Sequence, residues 1–598
     1  METTLRSEAW PDPVAETLTG LLAGSVARFA GRPAVSDDQQ SLTYAELDRR
    51  SDVLAAALRA RGVGAEDRVG LYIDRSVDVF VAVLGILKSG GAYVAVDARY
   101  PDARRDLMLT DSGAKLVLTR PEWQNRLSHL GLALHPYRSE PTANAIPVDA
   151  AVADGAASVL FTSGSSGLPK AIVLEHRNIV SFARNRRLPA LRPDDRTGQI
   201  SSLSFDAFHF EMWSTLAQGA EAVILPPVPE LLAADFQREL KRRRITAMLV
   251  PTMVVNHVVR EDRDAFAPLR ILQTGGDVLL PSSCRDLLSG GFEGELYNLY
   301  GPAEITTACT AQRVTAREAE LDSVPIGTPL EGVVTYVLTP ELLPVEHGAT
   351  GELFVGGPGV ARGYLDAPAL TDERFVANPV GDEPSRLYRT GDLVRELADG
   401  NLEFVGRADS QVKIRGYRVE PGEVERSLRQ HAQVHEAVVL PCGEGDSRRL
   451  VAFVVLDGTP ALKDVRAHAE SALPDFMVPG HFVAVPRIPA SENGKRDLEA
   501  LQVLLDEHRL RQDGHVAPAT ETERRLAVLW EALLGVEKIG AQEDFFSLGG
   551  HSLLALRMQN RIKREFGVSL EYRDLLARPV LADLAAEIED ARGEVDFA

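Results

Sequence analysis

Short runs of apolar, β-branched residues recur along the first two thirds of the chain. They include Arg68–Ile73 (RVGLYI), Ala157–Thr162 (ASVLFT), Glu221–Pro226 (EAVILP) and Thr246–Pro251 (TAMLVP). Between them lie longer stretches with helical spacing, such as Leu42–Arg59 and Val77–Lys88. Strands alternating with amphipathic helices predict α/β layers built on largely parallel sheets. From about Gly351 the spacing shortens (GELFVGG, RLYRTGDLVRE, LEFVGRAD), which predicts a smaller β-rich part closing this region. After Asp409 the pattern becomes a compact α+β segment, with strands at VKIRGYRV and EAVVLP and helices near 421–430 and 462–472. The polar, proline-containing stretch Arg511–Thr520 reads as a linker. The remainder, to about Glu594, has helical periodicity and predicts a small bundle.

Composition narrows the field. The 598 residues exceed what one core needs, and 45% hydrophobic with 25% charged residues is ordinary globular usage. A formal net charge of −21 argues against binding nucleic acid. No apolar run approaches the ~20 residues of a membrane span, and METTLRSEAWPDP lacks a secretory pattern. Cys284, Cys309 and Cys442 lie far apart without metal spacing, so we expect small buried residues and neither disulfides nor zinc. A cytoplasmic location fits.

Several loops carry candidate chemistry. Leu160–Lys170 (LFTSGSSGLPK) follows an apolar strand and concentrates hydroxyl and backbone donors with glycines. It can form an anion nest completed by Lys170; it is not a Walker A loop, and alone it reads equally as a flexible connector. Asn298–Glu304 (NLYGPAE) puts an aromatic and a carboxylate around a turn, Tyr388–Asp392 (YRTGD) an aspartate after a glycine, and Asn493–Lys495 one lysine on a turn. Carboxylates can hold Mg²⁺ or a ribose diol, and a lysine can stabilise charge at phosphorus. Taken singly, each is also an ordinary turn residue or surface charge. In Asp544–Leu554 (DFFSLGGHSLL), Ser552 follows two glycines and opens an apolar helical pattern. An N-cap serine is the default there, and a phosphate ester on its hydroxyl would also suit a helix N-terminus.

The ordered set LKSGGAYVAVD, LFTSGSSGLPK, NLYGPAE, GELFVGG, YRTGDL, GRADSQVKIRGYRVEPGEVE, LPDFMVP and ENGK, followed by DFFSLGGHSLLA, resembles an adenylation domain of nonribosomal peptide synthetases joined to a peptidyl carrier domain. The resemblance spans roughly residues 15–595. It implies an adenylate-forming core with parallel sheets and a β-rich part (1–408), a small α+β lobe (409–507) hinged at Asp409, a linker (508–520) and an all-α four-helix carrier bundle (521–594). It also implies ATP, Mg²⁺ and a 4'-phosphopantetheine group covalently attached at Ser552. ATP would be held by Thr162, Ser163, Gly164, Ser165, Ser166, Gly167, Lys170, Gly276, Asn298, Tyr300, Gly301, Asp392 and Arg407. Within that set Tyr300 would stack on adenine and Asp392 would take the ribose hydroxyls. Glu304 matches the Mg²⁺-associated glutamate; Lys495, Glu304 and Thr162 are the expected catalytic residues. Ala303, Ser166 and Ala171 stand where the family usually has threonine, threonine and glycine, which removes no assigned role.

Ser204–Glu211 resembles the segment that opens the family's substrate pocket, with Asp206 matching the aspartate that pairs with an α-ammonium group. A helix-capping aspartate is the alternative. By the same resemblance Ala207, Phe210, Thr252, Gln273, Gly275, Leu299, Thr307, Ala308 and Lys495 line the pocket. Their mixture suggests a medium or large side chain with an aromatic or polar end. The chain begins at the adenylation region and stops after the carrier, which reads as a stand-alone loading module. Its expected partners are an amino acid, a phosphopantetheinyl transferase, an MbtH-like activator, and a downstream condensation or tailoring enzyme. The competing readings are an acyl- or aryl-CoA-type ligase and a non-catalytic nucleotide-binding scaffold.

Overall fold

The helix Tyr44–Ala60 shows how local sequence sets an element here. Thr43 accepts from the backbone N–H of Glu46, and the Glu46 carboxylate returns to the Thr43 N–H, a reciprocal capping box. The helix packs on Val77–Lys88, which is buried on every side and apolar except for Asp78 and Lys88, both held in ion pairs. The computed structural model describes residues 4–6, 16–138, 149–164, 168–233, 235–380, 385–409, 411–414, 416–443, 448–457, 462–489, 497, 500–505 and most of 516–595. In that last stretch 535, 537, 547, 549, 551, 569, 571–574, 576 and 577 fall outside the description, as does the 508–515 part of the expected linker.

Two large mixed sheets form the first compact unit, which comprises Met1–Gly164, Leu168–Leu225 and Leu240–Arg418. In one sheet Ala156–Thr162, Ala92–Ala95, Arg68–Tyr72, Leu116–Thr119 and Ala133–Pro136 run parallel, and Lys170–Glu175 joins antiparallel. In the other Glu295–Tyr300, Ile271–Gly275, Ala247–Pro251, Arg196–Gln199, Glu221–Ile224 and Pro33–Ser36 run parallel. One apolar cluster joins Leu71 and Tyr93 of the first sheet to Leu249 and Ile271 of the second through Phe80, Leu84 and Trp213 of intervening helices. This is the expected α/β core: strands buried on both faces read as continuous apolar runs. The β-rich part is an antiparallel sheet centred on Val334–Leu338, Thr350–Gly356 and Arg386–Glu396.

The second unit holds Ser165–Gly167, Pro226–Glu239 and Val419–Ala598. Its α+β part has a sheet of Val434–Cys442, Arg449–Leu456 and His481–Ala484 with helices Pro421–Leu428 and Leu462–Ala472. The C-terminal part has helices Glu521–Leu534, Ser552–Phe566 and Leu581–Val595 among the described residues, around Leu526, Trp530, Phe545, Met558, Ile562 and Ile588. The fourth helix of the expected bundle lies outside them. Ser552 is the first residue of its helix, as its sequence predicts. The first unit continues to Arg418, so Asp409 packs within it. All three cysteines are buried and free.

Trp530 is fully buried and stacks edge-on against Phe545 at 5.1 Å. Trp530→Ala should cost the helical C-terminal part about 3–5 kcal/mol. The check is amide-exchange protection across 521–595 in the intact chain; protection unchanged from wild type would contradict this packing.

Candidate functional site

Every described residue of the candidate site lies in the first unit. Thr162 ends its strand directly opposite Lys170, the first residue of the next strand, so the glycine-rich loop is clamped at both ends. Ser165, Ser166 and Gly167 lie outside the described residues. A Cβ at Gly164 would come within 1.9 Å of the Leu168 carbonyl oxygen, so only glycine fits. The Thr162 hydroxyl is buried with no hydrogen-bond partner among the described residues, and the Ser163 hydroxyl donates to the Arg418 carbonyl oxygen at 2.9 Å. The Lys170 ammonium lies 5.4 Å from the Tyr364 ring centroid.

Glu304 sits on a short turn after the strand Glu295–Tyr300 and is 0% exposed. The turn ends in two consecutive threonines with positive φ, Thr306 at 60° and Thr307 at 74°. That left-handed backbone is unfavourable for β-branched residues and is a feature of functional loops. Arg418 donates to both oxygens of Glu304, at 2.9 and 3.1 Å, and the Tyr364 hydroxyl adds a third bond at 2.8 Å. Burial opposes ionisation of this carboxyl, yet Arg418 and then Lys170 hold it down at about 2. A permanently ionised carboxylate beside an unpartnered hydroxyl and a lysine suits a Mg²⁺–phosphate group.

A second cluster gathers around Asp392, which accepts from the Tyr300 hydroxyl and, at 2.5 Å, from Arg407. Arg407 in turn grips both oxygens of Asp409, at 2.7 and 2.8 Å. Tyr300, Asp392 and Arg407 are thus brought together as their motifs imply, and Asp409 is tied to them. Gly276 follows the strand Ile271–Gly275 with φ +91°. Gly301 approaches Ala308 so closely that a Cβ would meet its Cα at 2.6 Å. Asn298 differs from the rest: its amide donates to the Pro325 carbonyl oxygen at 2.9 Å and is committed to holding the loop.

Asp206 keeps part of its surface accessible although protein surrounds it, as a cleft wall does. Burial pushes its carboxyl up to about 7, backbone N–H groups of Ala207 and Thr307 pull the other way, and the Glu304 charge adds to the rise. It makes no ion pair among the described residues. Thr307 donates to the Asp206 carbonyl oxygen at 2.9 Å and lies 3.3 Å from His209, whose imidazole burial pushes down to about 3. Phe210 opens a π-turn, Phe210–Ser214, a widened turn common at functional sites. Its neighbour Glu211 fastens the segment by accepting from the backbone N–H groups of Ile200 and Ser201 and from Gln199.

Gln273 and Gly275 share one face of their strand, with Leu299 opposite Gly275. Gln273 is 0% exposed, and neither end of its amide has a partner among the described residues. Thr252 accepts from Thr274 at 3.0 Å; Ala207 is half-buried and Ala308 buried. The residues expected to line the pocket come from the adjacent strands Ile271–Gly275 and Glu295–Tyr300, from the start of the helix Thr252–Glu261, and from the segments around Asp206 and Thr307. Lys495 lies outside the described residues, and of Ser552 only its helical position is described.

Sequence reasoning gave no role to Arg418, Tyr364, His209 or Glu211. Arg418 lies inside the motif GRADSQVKIRGYRVEPGEVE, but its partner is 114 positions away, and nothing local signals such a pairing.

Three family models match the chain: AMP-binding enzyme at residues 22–365, AMP-binding enzyme C-terminal domain at 423–495, and phosphopantetheine attachment site at 524–588. Gramicidin S synthase 2 of Aneurinibacillus migulanus is 36% identical over 597 residues, which is 97% of this chain and 13% of that protein. Malpibaldin synthetase of Mortierella alpina is 39% identical over 586 residues, 97% of this chain and 10% of that protein. The chain spans between 8% and 22% of the length of eight such curated relatives. Among solved structures, holo-PA1221, described as an NRPS protein containing adenylation and PCP domains bound to a vinylsulfonamide inhibitor, aligns with TM-score 0.83 and 28% identity over 96% of this chain and 97% of its own. An artificially fused adenylation–PCP di-domain from Klebsiella oxytoca, NpsA-ThdA, aligns with TM-score 0.72 and 25% identity over 88% and 98%. These domains imply use of ATP and a phosphopantetheine group, which requires a phosphopantetheinyl transferase. No described helix is long and apolar enough to cross a membrane. The chain belongs to the AMP-binding enzyme family, in the adenylation-plus-carrier form found in nonribosomal peptide synthetases.

Proposed function

We propose that this chain activates an α-amino acid with ATP and passes the aminoacyl group to a thiol carried on its own Ser552. The observation that carries the amino-acid reading is Asp206, a protein-enclosed carboxyl with no ion-pair partner among the described residues. A group in that setting stays neutral or takes a cation, and the α-ammonium of the substrate supplies one. An acid without an amine would leave it unpaired, which disfavours the CoA-type ligase reading.

A carboxylate acylates poorly because oxide is its leaving group. Attack on the α-phosphorus of ATP replaces it with AMP and releases pyrophosphate. Thr162, Ser163 and Lys170 border the loop that would receive the phosphates, and Asp392 would accept the ribose hydroxyls. Glu304 would hold Mg²⁺, which offsets the negative charge of the phosphates. The phosphopantetheine arm supplies the thiol that takes the acyl group as AMP leaves. Lys495 contributes its charge only to the first step; Asp409 serves as the hinge that lets one site perform both. The reading includes a cytoplasmic location, an MbtH-like activator and a downstream condensation or tailoring enzyme.

Amino-acid-dependent ATP–pyrophosphate exchange across the common amino acids tests it; exchange with none of them, activator present, would sink the amino-acid reading. Lys495→Ala should slow exchange by about 10²–10³-fold and leave transfer from preformed aminoacyl-AMP nearly intact. Equal losses in both steps would remove Lys495 from its role.

A further inference from the structure

Resting on the placement of Mg²⁺ at Glu304, we infer that Arg418 and the Mg²⁺–phosphate group are alternative partners of that carboxylate, so that Arg418 stands in for the metal and must withdraw when it arrives. Glu304 is 0% exposed, and a carboxylate so placed needs a cation when charged. In this structure the bonded cation is Arg418: one guanidinium nitrogen donates to both Glu304 oxygens, and the Tyr364 hydroxyl takes a further lone pair of one of them; Lys170 adds a second positive charge nearby. A divalent ion on the same oxygens would meet that guanidinium at contact distance, so the two exclude each other.

The placement of Arg418 makes the exchange productive. Its carbonyl oxygen holds the Ser163 hydroxyl in the glycine-rich loop. The Thr162 hydroxyl next to Ser163 is buried and unpartnered among the described residues. When the guanidinium withdraws, the Glu304 carboxylate is vacated, while the Ser163 bond to the Arg418 main chain need not break. Arg418 is also the last residue of the first compact unit. The bond lost on metal–nucleotide arrival is therefore one that fastens the chain's exit from that unit. Arg418 acts through Glu304 and is a positioning residue.

The test uses the intact chain, Mn²⁺ in place of Mg²⁺, and α,β-methylene-ATP, with amino acid omitted so that no reaction occurs. Free Mn²⁺ is counted by electron paramagnetic resonance. Arg418→Met, which removes the competing cation, should bind the Mn²⁺–nucleotide about tenfold more tightly than wild type. Adding Glu304→Gln to it should erase the gain. If Arg418→Met does not fold, Arg418→Gln carries the comparison, because it also removes the charge while keeping a polar side chain; its affinity should also exceed that of wild type. Affinities equal to or below wild type in the folded variant overturn the inference alone. No binding by wild type or variant removes Glu304 as a metal residue, and overturns both this inference and the adenylation reading.

Discussion

Asp206→Ala should abolish amino-acid-dependent adenylation while leaving nucleotide binding in place. Removing one member of a desolvated charge pair costs about 2–5 kcal/mol, or about 30- to 4,000-fold. The loss should fall on the amino acid's KM and on kcat/KM, and Mg²⁺–ATP affinity should hold. The pH profile gives a finer reading. With its carboxyl pushed up to about 7, the free protein carries a substantially protonated Asp206 below that pH. Pairing with an α-ammonium requires the ionised form, so binding expels a proton and affinity rises with pH through about 7. Between about pH 5.5 and 7.5 the dissociation constant should fall about 25-fold. The stability of the free protein moves the other way. A raised carboxyl pKa favours the protonated fold, so stability declines as pH climbs from about 4 to about 7, and saturating amino acid should remove that decline. Asp206→Asn should flatten both profiles. An affinity independent of pH in the wild type would contradict the pairing.

Ser552→Ala should eliminate covalent loading completely and leave ATP–pyrophosphate exchange within about twofold of wild type. The serine opens the helix Ser552–Phe566 in the second unit, whereas every described residue that would bind nucleotide or amino acid lies in the first. The two functions are separable by residue, and a substitution at a helix start costs only about 1 kcal/mol of helix stability. Intact mass after phosphopantetheinyl transferase treatment reads the first outcome and isotope exchange the second. A retained mass gain would move the attachment site elsewhere. A collapse of exchange would mean that the helical part supports the first reaction as well.

Much of the architecture was legible because its signals are local. Val77–Lys88 is a helix over the very residues its periodicity marks, and the strand Arg68–Tyr72 matches its apolar run to within a residue. Leu42–Arg59 came out as Tyr44–Ala60, and the capping pair Thr43 and Glu46 could have placed its start. The glycine-rich loop was readable for a related reason: a turn needing φ freedom and hydroxyls restricts which residues can stand there. What stayed hidden depends on partners far apart. Arg407 was expected beside Asp392, but not its grip on Asp409, and Arg418 closes on Glu304 with nothing local to signal it. The left-handed backbone at Thr306 and Thr307 contradicts local preference and is imposed by the packing around Glu304 and Asp206. The π-turn at Phe210–Ser214 shifts by one residue what a regular helix would present, which periodicity does not show.

Gln273 shows a different limit. Its type is plain in the sequence, but only the strand register reveals that its amide shares a face with Gly275 and finds no partner among the described residues. A polar group so placed would narrow the amino acids accepted, since a side chain that leaves it unpaired loses affinity.

The central claim is that one chain both activates an amino acid and holds the product. Its most direct test is the intact mass of the phosphopantetheinylated chain after incubation with ATP, Mg²⁺ and single amino acids, with the modified peptide sequenced. The account predicts that at least one amino acid adds the mass of a single aminoacyl group, only when ATP is present, on the peptide containing Ser552. A Ser552 peptide that carries the arm and remains unacylated with every amino acid, under conditions where the chain binds Mg²⁺–ATP, would contradict it.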